Sequence, residues 1–166
     1  MKGFLAAENE QNINVYACFD NEEVGSGTKQ GAASTFLYDV LWRMNKALGK
    51  NEEEFYRAVA GSFMLSCDNA HAVHPNHPEK ADPTNRPYLN GGVVLKYNGS
   101  QKYTTDGYSA AIVRQICNTW EIPLQTFANR SGITGGSTLG NISTAHVSIP
   151  SADVGPVSYT HLRAHE

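Results

Sequence analysis

Cysteine is scarce in this sequence and poorly placed for cross-linking. Cys18, Cys67 and Cys117 are odd in number, far apart and form no C-x-x-C pair, which excludes a disulfide framework and a thiolate zinc cage and suits a reducing cytoplasm. Long apolar runs are also missing. After Lys2 the apolar patch Phe4 to Ala7 is too brief for a secretory core, and nothing approaches the length of a membrane span. A soluble, non-exported, cytoplasmic chain is therefore expected, with no membrane partner. Charge of one sign is not in surplus either: 13 Lys and Arg against 16 Asp and Glu leave a formal net charge of -3, with no basic block to attract nucleic acid. What remains is an ordinary globular composition, 40% hydrophobic over 166 residues, enough for one domain or part of one.

Periodicity divides the chain. Ile13 to Phe19 is short, β-branched and aromatic, and predicts a buried strand ending at the acidic cluster Asp20 to Glu23. Phe36, Leu37, Val40, Leu41, Met44 and Leu48 recur at helical spacing before Gly49. Phe55, Tyr56 and Val59 define a second helix over 52–60, with Glu52 to Glu54 suiting the positive end of its dipole. Strands are expected at 62–67, 91–97, 124–127 and 145–149, and a helix capped by Thr105 is expected to run to about Trp120. Between them Asn69 to Gly92, rich in proline and histidine, reads as a long irregular loop of the functional kind. The alternation indicates an α/β sheet without an internal repeat.

Two clusters could carry chemistry. Glu22 and Glu23 stand where a strand gives way to a loop, so one carboxylate can bind a metal ion while its neighbour takes a proton from water. Alone, the pair reads more readily as a solvated acidic turn than as a catalytic centre. Asp68 closes another expected strand and is followed by His71, His74 and His77. Carboxylate and imidazole are usual ligands of zinc, cobalt and manganese, yet the spacing is neither a helical H-x-x-x-H nor a finger pattern. Gly135 to Gly140 lacks the Lys-Ser/Thr pair of a phosphate loop and reads as a turn opening a helix.

Taken in order, the segments Phe19-Asp20-Asn21-Glu22-Glu23-Val24-Gly25-Ser26, Asp68-Asn69-Ala70-His71 with His74 to Lys80, Gly92 to Lys96 with Gln101-Lys102-Tyr103, and Gly136 to Gly140 resemble the C-terminal half of an M18 (aspartyl aminopeptidase-like) metalloaminopeptidase. The resemblance implies a partial domain of a three-layer α/β phosphorylase/hydrolase-like fold, with a central mixed sheet flanked by helices. It implies two divalent metal ions, zinc first, with cobalt or manganese as alternatives. Glu22 is implied as general base, Glu23 and Asp68 as metal ligands, and His71, Lys96 and Tyr103 as substrate contacts. Peptides with an acidic N-terminal residue are the implied substrates, and a dodecamer the implied assembly.

The match covers 1–155. Residues 156–166 resemble no part of the family and read as a foreign tail. The family's upstream histidine, its bridging aspartate and a histidine within a later Met-His pair have no counterpart in this sequence. An incomplete, non-catalytic α/β module, binding metal weakly or associating with other subunits, is the competing expectation for these residues taken alone.

Overall fold

A computed structural model of the chain describes residues 1–8, 11–22, 24–130, 132 and 136–158. Glu23, the expected metal ligand, lies outside the described residues, as do Gly135 and the tail from residue 159.

The helices form where the patterning places them. Helix α1 (Lys2–Ala6) is a short addition that the sequence did not announce. Helix α2 (Phe36–Ala47) is followed by α3 (Glu52–Ala60), whose Asn51 side chain accepts from the Glu54 N–H while the Glu54 carboxylate accepts from the Asn51 N–H. This reciprocal pair satisfies two donors that a helix start otherwise leaves orphaned. The two helices meet through Phe55, whose ring lies 5.0 Å from Trp42 and 5.6 Å from Tyr38 in edge-to-face geometry.

The sheet is built from β1 (Met64–Cys67), β3 (Val93–Tyr97), β4 (Leu124–Ala128) and β5 (Ser151–Gly155), in the order β1-β5-β3-β4. A separate two-stranded ladder joins β2 (Ala70–His71) to β6 (Val157–Ser158). Pairing is parallel for β1 with β5 and for β3 with β4, but antiparallel for β3 with β5. The sheet is thus mixed, and with α4 (Gly107–Thr119) and α5 (Leu139–Thr144) packed on it the architecture is α/β.

Alternation along β3 decides where the chemistry can sit. Leu95 packs with Ala110, Val113 and Cys117 of α4 and with Ala152 and Val154 of β5. Its neighbour Val94 points the other way, into a cluster with Ala70, Tyr103 and Phe127. Lys96, two residues on from Val94, shares that second face.

Three boundaries differ from the sequence expectation, each for a physical reason. Residues 13–19 form no ladder, and Ile13, Val15 and Tyr16 are exposed, because no neighbouring backbone runs alongside them among the described residues. The final strand is 151–155 rather than 145–149. Ser151 to Gly155 has weak strand propensity but is buried throughout between β1 and β3, and context outweighs propensity in a central strand. The cap of α4 is Asp106, whose carboxylate accepts from the Ser109 N–H at 2.7 Å, while the hydroxyl of Thr105 accepts from the Asp153 N–H at 2.9 Å. Within the expected loop 69–92, the structure adds β2 and a single 3-10 turn at Pro78–Lys80.

Candidate functional site

Asp20 begins the turn that delivers the acidic cluster, and its carboxylate accepts from the Asn21 N–H at 2.8 Å. Asn21 adopts φ 62°, a left-handed conformation that asparagine tolerates better than most residues. Its side chain donates to the Thr28 hydroxyl at 3.1 Å, fastening the turn from across the loop. Glu22 follows, half-buried, and Gly25 closes the turn with φ 120° by donating to the Glu22 carbonyl.

A cleft of about 530 Å³ opens at this point. It is lined by Phe19, Asp20, Asn21, Glu22, Val24, Asp68 and Leu139. Glu22 and Asp68, 46 positions apart in the sequence, therefore share one cavity. Leu139, from the glycine-rich segment, contributes to the same wall. Asp68 extends β1 by donating its N–H to the Val154 carbonyl at 3.1 Å. Gly155 is what allows that approach: a Cβ there would fall 1.7 Å from the Asp68 carbonyl oxygen.

Lys96 lies directly behind Asp68. Its Nζ donates to the Asn69 carbonyl at 2.8 Å and lies 3.6 Å from Asp68 Oδ2. Burial pushes the Lys96 pKa below its ordinary value, and the carboxylates of Asp68, Asp153 and Glu22 oppose that push. The ammonium also sits 5.6 Å from the centre of the Tyr103 ring. Tyr103 is buried, and its phenol is pushed up to about 12, first by burial and then by the charge of Asp153, against a hydrogen bond from Asn129. The Phe127 ring lies 6.2 Å from Tyr103 and 6.1 Å from His71, so two of the expected substrate contacts flank one aromatic side chain, whose residue is the register partner of the third, Lys96. His71 itself is exposed on β2.

His74 and His77 lie side by side. Their rings are 5.4 Å from each other, His77 pairs with Glu79 at 3.2 Å, and His74 Nδ1 accepts from the Asn76 N–H. With Nδ1 so engaged, His74 is poorly disposed to bind metal.

The donors that face the cleft are carboxylate oxygens, which suit a divalent ion as part of its ligand shell. They do not enclose one: among the described residues no group of three or more His, Cys, Asp or Glu is gathered to hold a metal. The residues present thus fit one side of a metal centre.

Comparison with known proteins decides the family. The model for "Aminopeptidase I zinc metalloprotease (M18)" matches residues 1–161. The chain belongs to the M18 family. A "Probable M18 family aminopeptidase 2" from Clostridium acetobutylicum is 48% identical over 155 residues, covering 93% of this chain and 36% of that protein. A "Probable aspartyl aminopeptidase" from Ricinus communis is 36% identical over 148 residues, covering 89% of this chain and 30% of that protein. The yeast S. cerevisiae mApe1 dodecamer superposes with a TM-score of 0.70 at 26% identity, over 84% of this chain and 30% of that one. This M18 chain thus spans about a third of the length of the curated relatives it matches.

Sequence reasoning passed over Asn129, Thr104 and Asp153. Asp153 is 1% exposed. The one available signal was an acid set among small residues near the end of the family match, where Ser151-Ala152-Asp153-Val154-Gly155 reads locally as a loop.

Proposed function

We propose that the whole protein carrying this chain is a two-metal aminopeptidase that hydrolyses the N-terminal residue, an acidic one, from peptides. The observation that supports it most is the single cleft lined by both Glu22 and Asp68 in a chain of the M18 family. Glu23 and Asp68 would each contribute to holding a divalent ion, zinc first, with cobalt or manganese acceptable to the same oxygen donors. Bound there, the ions would supply the Lewis acidity that acidifies water and polarises the scissile carbonyl. Glu22 takes the proton from the attacking water and returns it to the amine that leaves as the peptide C–N bond breaks. His71, Lys96 and Tyr103 form the substrate side of the site, and the cationic Lys96 is what favours an acidic residue.

Because this chain spans about a third of its relatives' length, the activity is proposed for the full-length protein. For these 166 residues alone, a non-catalytic α/β module is the second reading, favoured by the one-sided ligand set among the described residues. The proposal extends to a homo-oligomeric, dodecameric assembly in the cytoplasm. A neighbouring structure is described as a dodecamer, and no described helix is long and apolar enough to cross a membrane.

The test uses the full-length protein, stripped with a chelator and resupplied with zinc, cobalt or manganese, on short peptides beginning with Asp, Glu or Leu. Metal-dependent release of Asp or Glu is expected, and Glu22→Gln should lower kcat by about 10²–10⁴-fold. Undiminished turnover by Glu22→Gln would remove Glu22 as base. Failure of the full-length protein to release any N-terminal residue would remove the activity.

A further inference from the structure

Among the described residues, the buried charged side chains are Lys96 and Asp153. They face each other across the sheet. The antiparallel register pairs Val94 with Gly155 and Leu95 with Val154, and one step further sets Asp153 opposite Lys96. Leu95 and Val154 both point towards α4, so alternation turns Lys96 and Asp153 to the other face, with Tyr103 and Phe127.

Asp153 grips the chain immediately after Tyr103. Its Oδ2 accepts both the N–H of Thr104 at 2.5 Å and the Thr104 hydroxyl at 2.8 Å. In return the Asp153 N–H donates to the Thr105 hydroxyl at 2.9 Å. Two donors from one residue on one carboxylate oxygen fix that residue in both position and rotation. The other oxygen, Oδ1, is buried without a hydrogen-bond partner among the described residues. Gly140 closes over it so tightly that a Cβ there would lie 3.1 Å from Asp153 Oδ1 and 2.5 Å from Ser66 Cβ. On the far side, Asn129 bonds to the Tyr103 phenol and accepts from the Asn98 amide at 2.9 Å. Tyr103 is thus pinned from both ends, by Asp153 through Thr104 and by Asn129 through its hydroxyl.

We propose that Asp153 is a positioning residue for substrate: its clamp on Thr104 holds Tyr103 against Lys96 and Phe127, and so keeps the substrate wall in shape. The word substrate rests on the aminopeptidase reading; the clamp does not.

Hydrogen exchange of the amides around Thr104, measured beside steady-state kinetics on an acidic peptide, tests both parts in the full-length protein. Asp153→Ala should lose protection at Thr104 and raise KM about tenfold with kcat within about threefold, the pattern of lost uniform binding. Asp153→Asn keeps a carbonyl oxygen for both Thr104 donors and should recover most of the protection and most of the KM. Thr104→Val loses the hydroxyl alone and should fall between. Should Asp153→Ala not fold, Thr104→Val carries the comparison, and an unchanged KM there would overturn the proposal. Unchanged protection in Asp153→Ala would overturn the clamp. Lost protection with unchanged KM, or a fall in kcat at constant KM, would overturn the positioning role. A wild type that releases no residue from any peptide would overturn the substrate role together with the reading it rests on, while lost protection in Asp153→Ala would still establish the clamp.

Discussion

Replacing Gly155 with alanine tests the link between the sheet and the cleft most directly. The added methyl carbon would start 1.7 Å from the carbonyl oxygen of Asp68 and 2.8 Å from its carbonyl carbon. Real Cβ atoms essentially never approach a heavy atom closer than 3.0 Å, so the strands must part by roughly 1.3 Å. Neither contact is the tip of a flexible side chain; both belong to backbone that already donates from Asp68 N–H to the Val154 carbonyl. The strain therefore falls on the segment that presents Asp68. Overpacking of this kind costs about 1–3 kcal/mol. In the full-length protein, about three times the length of this chain, each kcal/mol is worth roughly 1 °C, so the melting temperature should drop by about 1–3 °C. With Asp68 in the metal-holding role proposed above, moving it by about an ångström should also cost on the order of 10²-fold in rate. Melting is read by circular dichroism on the full-length protein, and turnover on an acidic peptide. A Gly155→Ala protein that melts with the wild type and hydrolyses at the wild-type rate would show that Asp68 is not held against β5 as described.

Tyr103→Phe should abolish a specific pH dependence. With its phenol at about 12 in the fold against 10 unfolded, the unfolded chain loses that proton first, so stability falls as pH rises from 10 to 12. The loss amounts to about 2–3 kcal/mol across that window, and urea midpoints of the two proteins should converge there. Lys96→Met removes the cation shared by Asp68 and the Asn69 carbonyl, and should cost upwards of about 2 kcal/mol in urea unfolding. Asp68 is partly exposed, so the cost stays below that of breaking a fully enclosed pair. Asn51→Ala deletes the reciprocal cap of α3 and should cost about 1 kcal/mol with turnover unchanged, since the cap is remote from the cleft-lining residues.

The candidate site was easier to pick out in the sequence than the sheet. Glu22, Asp68, Lys96 and Tyr103 stood out as candidates because their order along the chain matches a family pattern; the fold places Glu22 and Asp68 on one cleft and Lys96 3.6 Å from Asp68. Helices α2, α3 and α4 were legible because their apolar residues repeat at helical spacing. Strand β5 was not, because Ser151 to Gly155 is selected for smallness between two neighbours rather than for strand propensity. The alternation of Ala145 to Ile149 instead mimics a strand, although Val147 is buried in a turn after α5. Asp153 escaped notice for the same reason as its strand: a buried acid becomes intelligible only once Thr104, 49 positions away, is seen to donate to it. Residues 13–19 show the opposite failure. Their pattern is that of a strand, and pattern alone cannot provide the adjacent backbone that a ladder requires.

The alternation along β3 also has a practical consequence. With Leu95 facing α4 while Val94 and Lys96 face the cleft side, the sheet acts as a partition between a stability compartment and a chemical one. Volume-conserving changes at Val113 or Cys117 would adjust melting behaviour on the helix side while leaving the opposite wall intact. That insulation gives an engineer a way to harden the protein without disturbing the face that carries Lys96 and Tyr103.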